Sequence, residues 1–221
     1  MPSRLRPTSS LAADAVLVGD PGRALALAQV LLEQPKMSNH ARGLWGYSGQ
    51  TPAGRALTVQ STGMGGPSAA LVLADLAELG LRRAVRVGTC VAIDPGPAPG
   101  DLLLIREAQA WGGGGSGEPV LPDEALTARL HEKLRGEARE ATVASLDFLH
   151  RANGGTAGSY VEQAEAADMQ TATLLSEGTE RGVAIAAILI VAESAGGEQA
   201  DDETLAGAAE RAGTAAANAL S

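Results

Sequence analysis

The chain has 221 residues, enough for one domain of ordinary enzyme size. Its residues are 45% apolar but only 2% aromatic, so a sizeable core must be built from alanine, valine, leucine and isoleucine. A formal charge of −9 argues against nucleic acid and anionic lipid as partners, and a single cysteine excludes an internal disulfide or a multi-cysteine zinc site. Residues 1–10 are basic and polar and read as an N-terminal arm, with no apolar run of signal-peptide length. Residues 15–18 form a short apolar strand that runs into the turn Gly19-Asp20-Pro21-Gly22. Pro21 suits a first helical turn, and Leu25, Leu27, Val30 and Leu31 give the next segment an apolar helical face. Residues 43–50 and 55–60 read as two strands joined by Thr51-Pro52-Ala53-Gly54. A small-residue turn at 61–68 leads to a helix bearing Leu71, Leu73, Leu76 and Leu79 and ending at Gly80.

Further strands are expected at 84–87, 101–105 and 141–146, with a glycine-rich loop at 111–117 and a helix over 121–139. Residues 164–181 read as one helix, 183–191 as a buried strand and 204–220 as a closing alanine-rich helix. The longest apolar stretch, 183–192, is about half of a bilayer span, which leads us to expect a cytoplasmic protein with no membrane partner. Strands alternating with helices predict an α/β architecture in a single domain over residues 1–221.

Three segments place a small-residue turn and a polar or cationic group at the end of an apolar strand. Arg23 lies just inside a helix start, where free N–H groups and the dipole already favour an anion. Gly63-Met64-Gly65-Gly66 removes side chains, so a ligand can approach the backbone. Arg86-Val87-Gly88-Thr89 adds a second guanidinium and a hydroxyl, and the set suits a phosphate.

Taken in order, GDPGR (19–23), NHARGLWGYSG (39–49), STGMGGPS (61–68), RVGTC (86–90) and DMQTATLL (168–175) resemble the nucleoside phosphorylase family of hexameric purine nucleoside phosphorylases and uridine phosphorylases. That resemblance implies a three-layer fold with a mixed, partly barrel-like central sheet flanked by helices. It implies a pentosyltransferase that cleaves a nucleoside with inorganic phosphate, without a cofactor, in a dimer-based hexamer. Gly19, Arg23, Arg86 and Thr89 fall on its phosphate site, and Arg42 on an arginine that reaches into the neighbouring subunit's pocket. Met64 and Gln170 fall beside the ribose, Val91 and Leu149 beside the base, and Cys90 and Met169 among the other substrate-binding positions. Glu193 falls where purine-specific members carry the aspartate that protonates the leaving base, which with Arg86 makes the expected catalytic pair.

The sequence also departs from the family. Gln170 stands where a glutamate grips the ribose hydroxyls, Val91 for a glycine, and Leu149 for an aromatic residue. Ala206 stands for an arginine that assists the acid, and Arg4 for a histidine donated across the dimer. These changes keep three alternatives open: a purine enzyme, a uridine or pyrimidine enzyme, and a weakened homologue that binds phosphate or a nucleotide-like ligand. A nucleosidase using water is less favoured, because Arg23 and Arg86 would then hold no anion.

Outside those motifs, His40, His131 and His150 are too scattered for a metal site. Glu198, Asp201, Asp202 and Glu203 read as dipole complements for the last helix. Cys90, within Thr-Cys-Val-Ala-Ile, reads as a buried small hydrophobe rather than a nucleophile. Trp45 and Tyr47 alternate on a strand and suit a subunit interface.

Overall fold

A computed structural model describes residues 4–111, 117–149 and 164–221. His150 and the centre of the glycine-rich segment lie outside the described residues. In chain order the strands are β1 (Asp14–Val18), β2 (Glu33–Asn39), β3 (Gly46–Gln50), β4 (Ala56–Ser61), β5 (Arg83–Ala92), β6 (Leu102–Ala110), β7 (Pro119–Val120), β8 (Ala138–Ser145), β9 (Ala166–Asp168) and β10 (Ala184–Glu193). The helices are α1 (Pro21–Leu31), α2 (Gly65–Glu78), α3 (Glu124–Leu134), α4 (Thr171–Arg181) and α5 (Asp202–Ala219).

One mixed sheet carries all ten strands. Pairings β10–β6, β6–β8, β8–β9, β9–β5 and β5–β10 close five strands into a barrel, and β1, β4, β3 and β2 extend from β5 as an open wing. β1 and β10 are parallel to β5 and apolar on both sides, as expected for strands covered by helices on both faces. Val16, Val18, Ile188 and Ile190 face the layer of α1, α3 and α5, while Leu17, Ala187 and Leu189 face α2 and α4. With few aromatics, the helices must approach closely: a Cβ at Gly213 of α5 would lie 2.7 Å from Leu27 Cδ2 of α1. The three-layer α/β fold is therefore as expected.

Several local expectations are corrected. The segment 164–181 is not one helix, because Ala166 and Ala167 pair with β5 and β8 and the helix begins only at Thr171. The helix over 121–139 is shorter, with Asp123 capping its start and Arg135 left-handed at its end, after which β8 begins. β2 carries the polar sequence EQPKMSN at the sheet edge and has no apolar signature. Residues 41–43 form a 3-10 turn before β3. Tyr47 is buried in the chain's own core, and Trp45 packs partly against it. The arm is tied down from Arg4 onward: Asp75 of α2 accepts the N–H groups of Arg4 and Leu5 at 2.6 and 2.8 Å, and Leu5 is buried. Asp201 caps α5 through Thr204 N, with Asp202 and Glu203 in its first turn, as the acidic run predicted. Among the described residues no helix is long and apolar enough to cross a membrane.

Candidate active site

The ends of β1, β4 and β5 open into a cavity of about 470 Å³. Gly19, Asp20, Pro21, Arg23, Gly63, Met64, Gly65, Arg86, Gly88, Thr89, Leu149, Met169 and Gln170 line it. Short turns bring these walls together. Thr62 N donates to Val18 O at 2.7 Å, and a Cβ at Gly19 would stand 3.3 Å from Gly63 O. Gly63 has φ +73°, and a Cβ there would also sit 2.5 Å from Ser68 Oγ, so this corner requires glycine.

At the anion end, Asp20 caps α1 by accepting Arg23 N at 2.7 Å, so the first turn of α1 faces the cavity. Burial lowers the pKa of the Arg23 guanidinium, and the neighbouring charge of Arg86 lowers it further against the opposing pull of Asp20. Arg86 is only 4% exposed. Its Nη2 donates to Asp168 Oδ2 at 2.8 Å, its Nη1 to Gln170 Oε1 at 2.8 Å and its Nε to Thr171 Oγ1 at 3.0 Å. A guanidinium has about five N–H groups, so roughly two remain for a ligand. Gly88 makes room for this arrangement, since a Cβ there would lie 2.6 Å from Arg86 Nη2.

Asp168 is the anchor beneath that guanidinium. It is buried and also accepts from Ser145 Oγ at 2.5 Å, Thr171 Oγ1 at 2.6 Å, Thr171 N at 3.0 Å and Gln170 N at 3.2 Å. Sequence reasoning passed over Asp168, Ser145, Thr171 and Thr62. A run of small polar residues beside a helix start was the one available signal for three of them.

Gln170 is 4% exposed and held on both sides. Its Oε1 accepts from Arg86 Nη1 and from Thr62 Oγ1, the latter at 3.1 Å, and its Nε2 donates to Gly63 O at 2.8 Å and Gly65 O at 3.1 Å. Arginine on one side and two carbonyls on the other fix which way the amide points.

The structure brings eight of the expected residues together at this cavity: Gly19, Arg23, Met64, Arg86, Thr89, Leu149, Met169 and Gln170. Four lie outside its lining. Arg42 is exposed in the 3-10 turn with φ 60°. Cys90 is buried in the core, its thiol pushed well up from its ordinary value by burial and by the charge of Asp168. Val91 and Glu193 are paired in register where β5 and β10 end, just beyond Thr89. Leu149 and Met169, with Met64 83% exposed, give the cavity an apolar surface. Ala206 lies in a separate groove of about 520 Å³ between α1 and α5, which shares Arg23 with this cavity. His131 faces Glu140 at 3.5 Å on the surface. Among the described residues no group of three or more His, Cys, Asp or Glu is arranged to hold a metal ion.

The purine nucleoside phosphorylase DeoD-type of Oceanobacillus iheyensis is 41% identical over 98 residues, 43% of this chain and 41% of that protein. The one of Geobacillus kaustophilus is 38% identical over 102 residues, covering 46% and 43%. The chain thus spans less than half the length of these two relatives. A third, from Alkaliphilus metalliredigens, is 29% identical over 201 residues, covering 85% and 86%. The crystal structure of purine nucleoside phosphorylase from Toxoplasma gondii in complex with immucillin-H superposes with a TM-score of 0.86 at 22% identity, over 96% of this chain and 91% of that one, a likeness of fold. The family model of the phosphorylase superfamily matches residues 14–221, and the chain belongs to that family.

Proposed function

We propose that this chain is a nucleoside phosphorylase that uses inorganic phosphate to cleave the glycosidic bond of a purine nucleoside, giving free base and ribose 1-phosphate. The observation that carries this reading is Arg86, a guanidinium held in the cavity wall by a buried carboxylate and facing a second arginine across a glycine-lined space. Arg23, Arg86, Thr89, Gly19 and the α1 N-terminus would hold the phosphate. Met64, Met169 and Leu149 would pack against sugar and base. As the glycosidic bond loosens, positive charge develops on the sugar, and the bound anion beneath it would stabilise that charge and attack the anomeric carbon. No covalent enzyme intermediate or cofactor is required. Glu193, at the mouth of the barrel beside Val91, is the proposed proton donor to the leaving base. The exposed Arg42 is proposed to complete the pocket of a neighbouring subunit in a dimer-based hexamer.

The purine assignment follows the names of the relatives. The test is base release from inosine, adenosine, guanosine, uridine and thymidine, each with and without phosphate. Phosphate-dependent release from a purine nucleoside is expected. Release from uridine alone would move the assignment to pyrimidines, and equal release without phosphate would replace phosphorolysis by hydrolysis. Silence on all five from a folded protein that phosphate still stabilises would leave a binding homologue.

A further inference from the structure

We propose that Asn39 is a positioning residue for the anion site: its buried amide, backed by that of Gln60, holds the turn at 41–43 in the conformation that presents Arg42. The inference rests on the reading of Arg42 given above, as an arginine that completes a neighbouring pocket, and concerns what holds it in place. Arg42 has φ 60° and ψ 18°, and Gly43 after it has φ +71°. A left-handed conformation is unfavourable for a residue with a side chain and persists only where its surroundings dictate it. Both residues are exposed, and a Cβ at Gly43 would meet nothing within 4 Å, so the constraint does not come from packing above the turn. It comes from beneath. Asn39 is 1% exposed, and its Nδ2 donates to Leu44 O and lies 3.5 Å from Ala41 O, so one amide grips the turn at both ends. Gln60 is fully buried, and its Nε2 donates to Leu44 O at 3.0 Å, Trp45 O at 3.3 Å and Ser61 O at 2.8 Å. Residue 46 must be glycine for this, because a Cβ there would overlap Gln60 Oε1.

Asn39 is itself tied from the other side. Its Oδ1 accepts Arg6 N at 2.8 Å, and Leu5 packs in the same core cluster as Leu44, so the N-terminal arm braces the turn. Leu44 also stands against the cavity wall, since a Cβ at Gly63 would lie 3.2 Å from Leu44 Cδ2. The turn is thus built onto the rigid corner of the chain's own cavity. A long side chain such as arginine gains from a fixed base, because less freedom is lost when the guanidinium meets an anion. Asn39 acts through Arg42 and needs no contact with the ligand.

The test is a double-mutant cycle in the Kd for inorganic phosphate, read by calorimetry on the native protein, Asn39→Ala, Arg42→Ala and the double variant. Each single substitution is expected to raise Kd by about fivefold or more, and the double variant should bind within about twofold of the weaker single one. A merely structural role for Asn39 would instead multiply the two losses, and that result overturns the proposal. An Asn39→Ala Kd within about twofold of native, with Arg42→Ala impaired, overturns it alone. A native Kd in Arg42→Ala removes Arg42 from the site and overturns the reading of Arg42 together with this one. If Asn39→Ala does not fold, Gly43→Val disturbs the same turn from its exposed side, where φ +71° is disfavoured for a β-branched residue and no neighbour is displaced. A Kd raised about fivefold in that variant upholds the proposal, and an unchanged one overturns it. Base release plays no part in this readout, so failure of the phosphorylase reading leaves the cycle decisive.

Discussion

Asp168→Asn isolates the interaction on which the anion site depends. The substitution keeps the shape of the side chain and can keep an oxygen toward Arg86 and Thr171. Its new NH₂ would turn toward Ser145 Oγ, which already accepts from Ala172 N at 2.9 Å and has acceptor capacity left. Most local hydrogen bonds therefore survive and what disappears is charge. Arg86 and Asp168 side chains are 5% and 0% exposed, so the guanidinium would be left buried without its counter-ion. Removing one partner of such a pair costs about 3–5 kcal/mol. In a chain of this size that corresponds to a fall in Tm of roughly 6–20 °C. The same change leaves the arginines less neutralised, so phosphate should recover more stability in the variant than in the native protein. Thermal unfolding with and without phosphate at matched ionic strength reads both effects. A fall of less than about 3 °C, or an equal phosphate increment in the two proteins, would refute the assignment of Asp168 as the anchor of a cationic site.

Gly88→Ala places a Cβ 2.6 Å from Arg86 Nη2 and 2.7 Å from its Cζ, so it should displace the guanidinium and abolish phosphate-dependent thermal stabilisation; an undiminished phosphate shift would contradict the geometry. Arg23→Gln removes one charged donor and should raise the Kd for phosphate by about 10- to 100-fold in calorimetry, whereas an unchanged Kd would take Arg23 out of the site. The folded pKa of Cys90 lies above its ordinary value of 9.0, so its contribution is fully present below that value, and stability falls as pH rises beyond it while only the unfolded thiol ionises. Urea unfolding at about pH 8 and about pH 10 should show a loss of up to about 1.4 kcal/mol per pH unit above 9.0 from this group, absent in Cys90→Ala. Equal slopes in the two proteins would show that Cys90 is not its source.

How far the sequence could be read follows from what each element depends on. β1 and β10 are buried on both faces, so their unbroken apolar runs were sufficient signal. β2 lies at the edge and is mostly exposed, so nothing in EQPKMSN separated it from a loop. β9 was lost inside a helical pattern because Ala166 and Ala167 have strong helix propensity and become a strand only through pairing with β5 and β8. The site divides in the same way. Glycines and arginines at strand ends marked Gly19, Arg23, Gly63 and Arg86, since those residue types serve backbone approach and anion binding. The partner of Arg86 was not legible: Asp168, Thr171 and Ser145 meet only when β5, β8 and β9 close the barrel. Ordinary turn residues became a buried polar network through tertiary structure alone.

That network also sets the charge of the cavity, and Gln170 is the residue that tips it. Arg23 and Arg86 stand against Asp20 and Asp168, so the four side chains sum to zero, and the α1 N-terminus adds its partial positive charge. A carboxylate at 170 would bring the sum to −1 and place that charge against Arg86, the group proposed to hold phosphate. The glutamine, being neutral, thus favours the anion. Gln170→Glu should therefore make phosphate bind more weakly, by about tenfold for a shift of about 1.4 kcal/mol, as read by calorimetry. An unchanged phosphate affinity in the folded variant would mean that the charge at position 170 does not act on the anion site.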